Sequence, residues 1–521
     1  MTNIRVLDCT LRDGGYCNDW TFGYNNINKI VNGLLEANID IIECGYISQK
    51  KVFDINRTQY TSFDQVKQFI PENREGKLFV GMINYGEFNI DDIPYYDGIS
   101  VEGIRVTFHK KERAEALEFC SQLKDKGYKV FIQGMVSLSY TDEEFLDLLK
   151  RVNSFEPYAF YIVDSFGMMK GKDLKRLFYT VEHNLSENIY IGFHSHNNMQ
   201  LAYSNCLAFA GMETNRSGII DMSIYGMGRG AGNLNTELFI QYLNENQDGN
   251  YKLKPILTIL DEILDDFHKE NYWGYNLPNY ISAKNNAHPN YAGFLADKNT
   301  LTVEDMENLF LLMDEDKKVK FDKKYIEDLY TKYLATGKVQ EEHKGELEEK
   351  LKDRKVVLVA PGKSSEEEKD KIAAYAKSGI CISINFDYFY ADFIFLSNLR
   401  RYRELDACKY EKCIVTSNIT SNEVYLQTKY RNLLNNIETV RDNAGLMAIK
   451  FLMSYGVKEI ALAGFDGYSH DSEKNYAIKS MEIITKNAIL DSMNEGMSEV
   501  LREYSKDIKI IFLTTPKYVS F

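Results

Sequence analysis

The sequence predicts an α/β protein: a closed parallel (β/α)8 barrel of the TIM type, then a helical extension, then an open Rossmann-like α/β domain. Three observations carry that expectation. Short apolar runs recur roughly every 25 to 35 residues over the N-terminal part, with helical patterns between them. Polar residues collect at the ends of those runs, as they do where parallel strands share one mouth. A highly charged stretch, TGKVQEEHKGELEEKLKDR, separates this repeat from a second set of short apolar runs. With 521 residues the chain exceeds one compact core. We expect a barrel domain over 1–250, a helical extension over 251–335, a charged linker over 336–354 and the second α/β domain over 355–521.

In chain order, strands are expected at 6–9, 39–44, 78–83, 103–108, 130–135, 160–163, 190–194 and 222–225. Eight strands alternating with helices favour a barrel over a doubly wound sheet. Arg12 and Asp13, in DCTLRDGG, follow the first strand, and Gly14 and Gly15 favour a tight turn with close ligand approach. Glu43 lies in the second strand, Arg105 in the fourth and Gln133 in the fifth, while Asp164 and Ser165 follow the sixth. Each reads either as a site residue or as a barrel-lining polar group satisfied by its neighbours.

The seventh strand ends in GFHSHNN. Residues two apart on a strand face the same side, so His194 and His196 project together, as ligands of one metal ion must. Two neutral imidazoles leave a divalent ion short of ligands and charge, and Asp13 is the candidate carboxylate. GMGRGAGNLNTE follows the eighth strand. Its glycines are not placed as a dinucleotide fingerprint. In a barrel, however, the loop brings Asn233 to the same mouth as a neutral oxygen ligand.

Lys and Arg number 62 against 76 Asp and Glu, a net charge of −14, which argues against nucleic acid or an anionic membrane as the main partner. The start shows no basic-then-apolar leader, and no apolar run approaches the ~20 residues of a membrane span, so a cytoplasmic protein is expected. The eight cysteines are scattered without a Cys-x-x-Cys, which indicates neither a disulfide scaffold nor a zinc knuckle.

Together TLRDGG, FHSHNN and GMGRGAGN resemble the metal-dependent barrel lyases and synthases that include 4-hydroxy-2-oxovalerate aldolase, hydroxymethylglutaryl-CoA lyase and isopropylmalate synthase, nearest to the first. The resemblance implies a carbon–carbon lyase or aldolase acting on a 2-oxo acid of the pyruvate type. Asp13, His194 and His196 would bind Mn2+ or Mg2+, with Asn233 a further ligand candidate. The chemistry makes an enolate whose charge needs stabilising, and Arg12 suits a second electrostatic clamp. The aldolase branch has a histidine three residues after the metal aspartate, acting as base; here that position is Tyr16, a poor base at neutral pH. His288 and Tyr291, in HPNYAGFL, resemble the segment that sends a tyrosine to the relatives' active site, and either could supply the missing acid–base group. The expected partners are a small 2-oxo acid with an aldehyde or sugar-linked molecule, and the expected assembly is a homo-oligomer. Two alternatives stay open: a Claisen-type synthase joining acyl-CoA to a 2-oxo acid, and a metal- or ligand-binding protein without catalysis.

In the C-terminal part, KVVLVAPGKSS is no nucleotide P-loop, because the spacing puts Val357 where a glycine is required. Further strands are expected at 380–384, 393–396, 413–416, 460–463 and 508–513, so that loops 361–364, 397–401 and 464–468 gather at strand ends. Arg400 and Arg401 would there receive a phosphate or carboxylate. AGFDGYSHD distantly resembles strand-end loops of nucleotide-sugar-handling domains.

Overall fold

A computed structural model describes residues 3–298, 300–337, 339, 343–482 and 487–518. Residues 338 and 340–342 of the expected linker lie outside the described residues. The chain divides into two compact units, Met1–Gly293 with Asp314–Phe321, and Phe294–Met313 with Asp322–Phe521.

The first unit is the expected barrel. Its strands are β1 (Asn3–Asp8), β2 (Ile41–Ile47), β3 (Leu78–Asn84), β4 (Gly103–Phe108), β5 (Lys129–Gly134), β6 (Ala159–Asp164), β7 (Tyr190–Ser195) and β8 (Ser217–Met222). They pair in parallel in sequence order. Closure is direct: β1 pairs with β8 along its length and with β2 at Leu7↔Ile41 and Asp8↔Ile42, which excludes an open sheet. The helices bury one stripe each against the outside of the barrel. In Tyr24–Glu36 the stripe is Ile27, Ile30, Val31, Leu34 and Leu35, the i, i+3, i+4, i+7, i+8 spacing of a helix half in core. Asp142–Asn153 starts at a Thr141/Glu144 capping box and buries Phe145, Leu148, Leu149 and Val152.

Inside the barrel a smaller apolar cluster that includes Leu7, Ile41, Val80, Phe131, Tyr161 and Ile219 forms a floor. Gly192 makes room for it: a Cβ there would lie 2.4 Å from three atoms of the Tyr161 ring.

The eighth strand is Ser217–Met222, not 222–225. Asp221 interrupts the apolar run of this strand because its carboxylate faces inward onto Arg105. The chain has already left the sheet at Tyr225, whose φ is 59°, in the turn Ile224–Gly226.

The second unit holds an all-parallel open sheet of β9 (Val356–Val359), β10 (Ile380–Ile384), β11 (Phe393–Leu396), β12 (Cys413–Thr416), β13 (Leu426–Thr428), β14 (Glu459–Ala463) and β15 (Lys509–Phe512), in the order β13-β12-β11-β10-β9-β14-β15. The short strand β13 has no counterpart among the expected strands, since LQT carries no apolar run. Strand order reverses between β9 and β14, where open α/β sheets bind ligands. No described helix is long and apolar enough to cross a membrane.

Gly192→Ala is expected to destabilise the barrel by about 1–3 kcal/mol through overpacking against Tyr161; urea unfolding followed by circular dichroism would show the midpoint fall.

Candidate metal centre

The strand ends bring Asp13, His194 and His196 together, with one possible ligand atom from each lying within 4.8 Å of the others. All three are buried. Asp13 closes a one-turn helix, Thr10–Asp13, that begins where β1 ends, with the Asp13 amide donating to the Cys9 carbonyl at 2.8 Å. His194 lies in β7. His196 follows it and forms an isolated antiparallel bridge to Asn233. Asn198 completes the fit: its Oδ1 accepts from the Ala231 amide at 2.7 Å and its Nδ2 donates to the Phe166 carbonyl at 2.9 Å, fixing the glycine-rich loop against the histidine segment. Gly228 lets that loop close over the site, because a Cβ would lie 2.3 Å from Asn233 Nδ2 and 2.7 Å from Asp13 Oδ2.

A chain of buried ion pairs runs round the barrel behind the three ligands. Arg12 pairs with Asp13 through Nη1 and donates from Nε to Glu43 Oε2 at 2.9 Å. Arg105 donates to the same Glu43 oxygen at 2.7 Å and pairs with Asp221. Asp221 Oδ2 accepts from His194 Nδ1 at 2.9 Å, which returns the chain to the site. That last bond fixes the His194 tautomer and leaves Nε2 for an ion, the carboxylate–histidine arrangement usual behind metal ligands.

The donor set fits a divalent ion. His196 Nδ1 is buried without a hydrogen-bond partner, 3.8 Å from Asp13 Oδ2. Two donors each about 2.1 Å from one ion lie roughly 3 to 4 Å apart. Asn233 Nδ2 donates to Asp13 Oδ2 at 2.7 Å, while Asn233 Oδ1 is buried and unpartnered. Arg12 Nη2 and Gln133 Nε2 are likewise buried and unpartnered. Such atoms are costly unless something else satisfies them.

Protonation suits ligation. Burial alone would raise the Asp13 carboxyl, but Arg12 first, then His196, His194 and Arg229, hold it well below the usual carboxylate range. Burial pushes the His196 imidazole down to about 3 despite Asp13, so it is neutral with a lone pair to give. Burial, then Asp221 and Glu43, set the Arg105 guanidinium: the two carboxylates outweigh the first effect and raise it.

The other expected residues are placed as follows. The Tyr16 hydroxyl lies 3.1 Å from the Tyr46 hydroxyl, and its ring carries the Arg229 guanidinium at 5.4 Å. His288 Nε2 is 3.4 Å from Arg229 Nη1. Burial, then the nearby Arg229, His109 and His196, hold His288 well below its ordinary pKa, so it is neutral. The Tyr291 hydroxyl is directed elsewhere, 2.8 Å from each of the Lys317 and Lys320 carbonyls. Ser165 accepts twice at 2.9 Å, through its carbonyl from Arg229 Nη2 and through its hydroxyl oxygen from the Val136 amide. Asp164 accepts the Met168 and Met169 amides, and burial raises it to about 7. Sequence reasoning passed over Asp221, Arg229 and Asn198. A lone Asp in an apolar run was the one available signal for Asp221.

In the second unit, residues of loops 361–364, 397–401 and 464–468 line one cavity of about 450 Å3 at the β9/β14 reversal. Arg401 lines it and pairs with Glu404 at 2.8 Å, whereas Arg400 donates to the Leu301 carbonyl. Ser364 caps onto Asp466, whose Oδ2 accepts the Ser364 amide at 2.8 Å.

Fold and triad define the class: a closed parallel (β/α)8 barrel domain with a candidate divalent-metal site. The HMGL-like family profile matches residues 105–263, which hold both histidines and Asn233. Among known proteins, the chain is similar to 4-hydroxy-2-oxovalerate aldolase of Pelotomaculum thermopropionicum, 27% identical over 267 residues, covering 50% of this chain and 77% of that one. It is also similar to the enzyme of the same name from Geobacillus genomosp. 3, 27% identical over 247 residues, covering 46% and 70%. Among solved structures, it matches the N-terminal domain of a candidate aldolase from Bacteroides vulgatus, at 27% identity and a TM-score of 0.50, covering 58% of this chain and 98% of that one.

Asp221→Asn is expected to weaken metal affinity by roughly 10–100-fold, since it loosens His194 rather than removing a ligand. Calorimetric titration with Mn2+ against the wild type would measure it.

Proposed function

We propose that this protein is a divalent-metal-dependent aldolase that makes or breaks the carbon–carbon bond beside the carbonyl of a 2-oxo acid. The observation that carries the reading is Arg12 Nη2, the one guanidinium nitrogen left without a partner after Glu43 and Asp13 have fixed the other two, beside three convergent metal ligands. The names of the similar aldolases support the same class.

Asp13, His194 and His196 would hold the ion, Mn2+ or Mg2+, with Asn233 Oδ1 as a further ligand. When bound, such an ion supplies Lewis-acid stabilisation of the negative charge that develops on the 2-oxo acid's oxygens. Arg12 donates from Nη2 to the same developing charge, and because its other nitrogens are held in place it needs no reorganisation at the moment of reaction. A proton leaves the carbon beside the carbonyl. The electron pair so released forms the new bond to the aldehyde carbon, and the aldehyde oxygen takes up a proton. The hydroxyl pair of Tyr16 and Tyr46 is the proton donor we assign to that oxygen. Tyr291 serves the local packing through its two carbonyl partners. The second unit's cavity supports a role in capturing a larger, sugar-linked partner or intermediate.

The test is proton–deuterium exchange at the methyl group of pyruvate in D2O, followed by NMR with added Mn2+ or Mg2+ and a chelator control. Metal-dependent exchange is expected, falling about 10²–10³-fold in Arg12→Met and below detection in Asp13→Asn. Folded, metal-loaded wild-type protein that exchanges no deuterium would contradict the reading.

A further inference from the structure

Arg229, in the glycine-rich loop, differs from the other two guanidinium groups of the site. Arg12 and Arg105 each touch two carboxylates. Arg229 has no carboxylate partner among the described residues. Its Nη2 donates to the Ser165 carbonyl at 2.9 Å, its plane lies over Tyr16, and its Nε is buried with no hydrogen-bond partner. Asp13 feels its charge without bonding to it, and a buried donor with no acceptor is costly unless a ligand supplies one.

His288 points to what that ligand is. It precedes the helix Pro289–Asp297, and its Nδ1 accepts the Asn290 amide at 3.2 Å as an N-cap would. The Asn290 amide and the Arg229 guanidinium can both only donate, and the neutral ring has one lone pair; the shorter contact, from Asn290, takes it, which leaves the ring proton on Nε2. That N–H then faces Arg229 Nη1–H at 3.4 Å, two donors converging with no acceptor between them. Burial holds the neighbouring His109 below its ordinary pKa, with Glu112 opposing and Lys320 and Arg229 adding to the effect.

Resting on the aldolase reading, we infer that Arg229 and His288 together bind an anionic oxygen, carboxylate or phosphate, of the electrophile that meets the 2-oxo acid. The 2-oxo acid's own carboxylate is left to the metal ligands and Arg12. The enzyme therefore selects negatively charged aldehydes over neutral ones.

The experiment compares three aldehydes with pyruvate as donor: succinic semialdehyde, glycolaldehyde phosphate and propanal. At least one anionic aldehyde is expected to exceed propanal by about tenfold or more in kcat/KM, and which one identifies the anion. In Arg229→Met that ratio should collapse towards one, with Arg229→Lys between the two. A ratio near one in the wild type, or one that survives in Arg229→Met, overturns the inference. So does loss of pyruvate exchange with the aldehyde ratio intact, which would give Arg229 to the 2-oxo acid. A second measurement is independent of turnover: calorimetric binding of succinate and of inorganic phosphate to the metal-loaded protein. Binding of either that weakens about tenfold or more in Arg229→Met and in Arg229→Lys supports the site even if the aldolase reading fails, and binding of neither to the wild type overturns it.

Discussion

Everything at the barrel mouth depends on the buried alternation of charge from Asp13 through Arg12, Glu43, Arg105 and Asp221 to His194. Taking charges out of water costs several kcal/mol each, and only close, complementary partners return it. Here each guanidinium meets two carboxylates, and each of Glu43 and Asp221 serves two cationic or N–H partners. Removing any one member leaves an uncompensated buried charge, a loss of about 3–5 kcal/mol in comparable pairs. The arrangement is therefore poor economy for stability alone, since an apolar barrel interior of equal volume would hold as well. Its return is orientation. The loop after β1 and the strand β7, nearly 200 residues apart in sequence, are locked through it in one geometry.

Much of this was readable in the chain. His194 and His196 declare themselves because a strand alternates with period two, and Asp13 because two imidazoles need a carboxylate. The barrel follows from the repeat of apolar runs. What stayed hidden was hidden for physical reasons. Glu43 and Arg105 each read either as a site residue or as barrel lining, and the structure pairs them with each other. Asp221 displaced the expected eighth strand by several residues, because a charged residue in the middle of SGIIDM breaks the pattern by which a buried strand is recognised. Only the closed barrel, which puts Arg105 opposite, makes that Asp natural.

The loop after β8 shows the limit in another way. Its glycines serve two ends: Gly226, Gly230 and Gly232 take positive φ in the loop's turns, and Gly228 allows backbone to pass within van der Waals reach of Asp13 and Asn233. Arg229 within the same loop could not be weighed from sequence, since its meaning lies in what it lacks. Tyr16, by contrast, was visible as a departure from the aldolase pattern, and the structure gives it a setting among Tyr46, Trp20 and Arg229 rather than beside a base of its own. In the second unit, the loops expected at strand ends do share a cavity, and the strand-order reversal accounts for its place.

The most direct measurement is a crystal of the Mn2+-loaded protein, with diffraction recorded on both sides of the manganese absorption edge. The account predicts one anomalous peak in the barrel, within bonding distance of Asp13, His194 Nε2 and His196, with Asn233 Oδ1 beside it. A fully loaded crystal with no peak there, or with manganese held only elsewhere, would contradict the metal centre and the chemistry built on it.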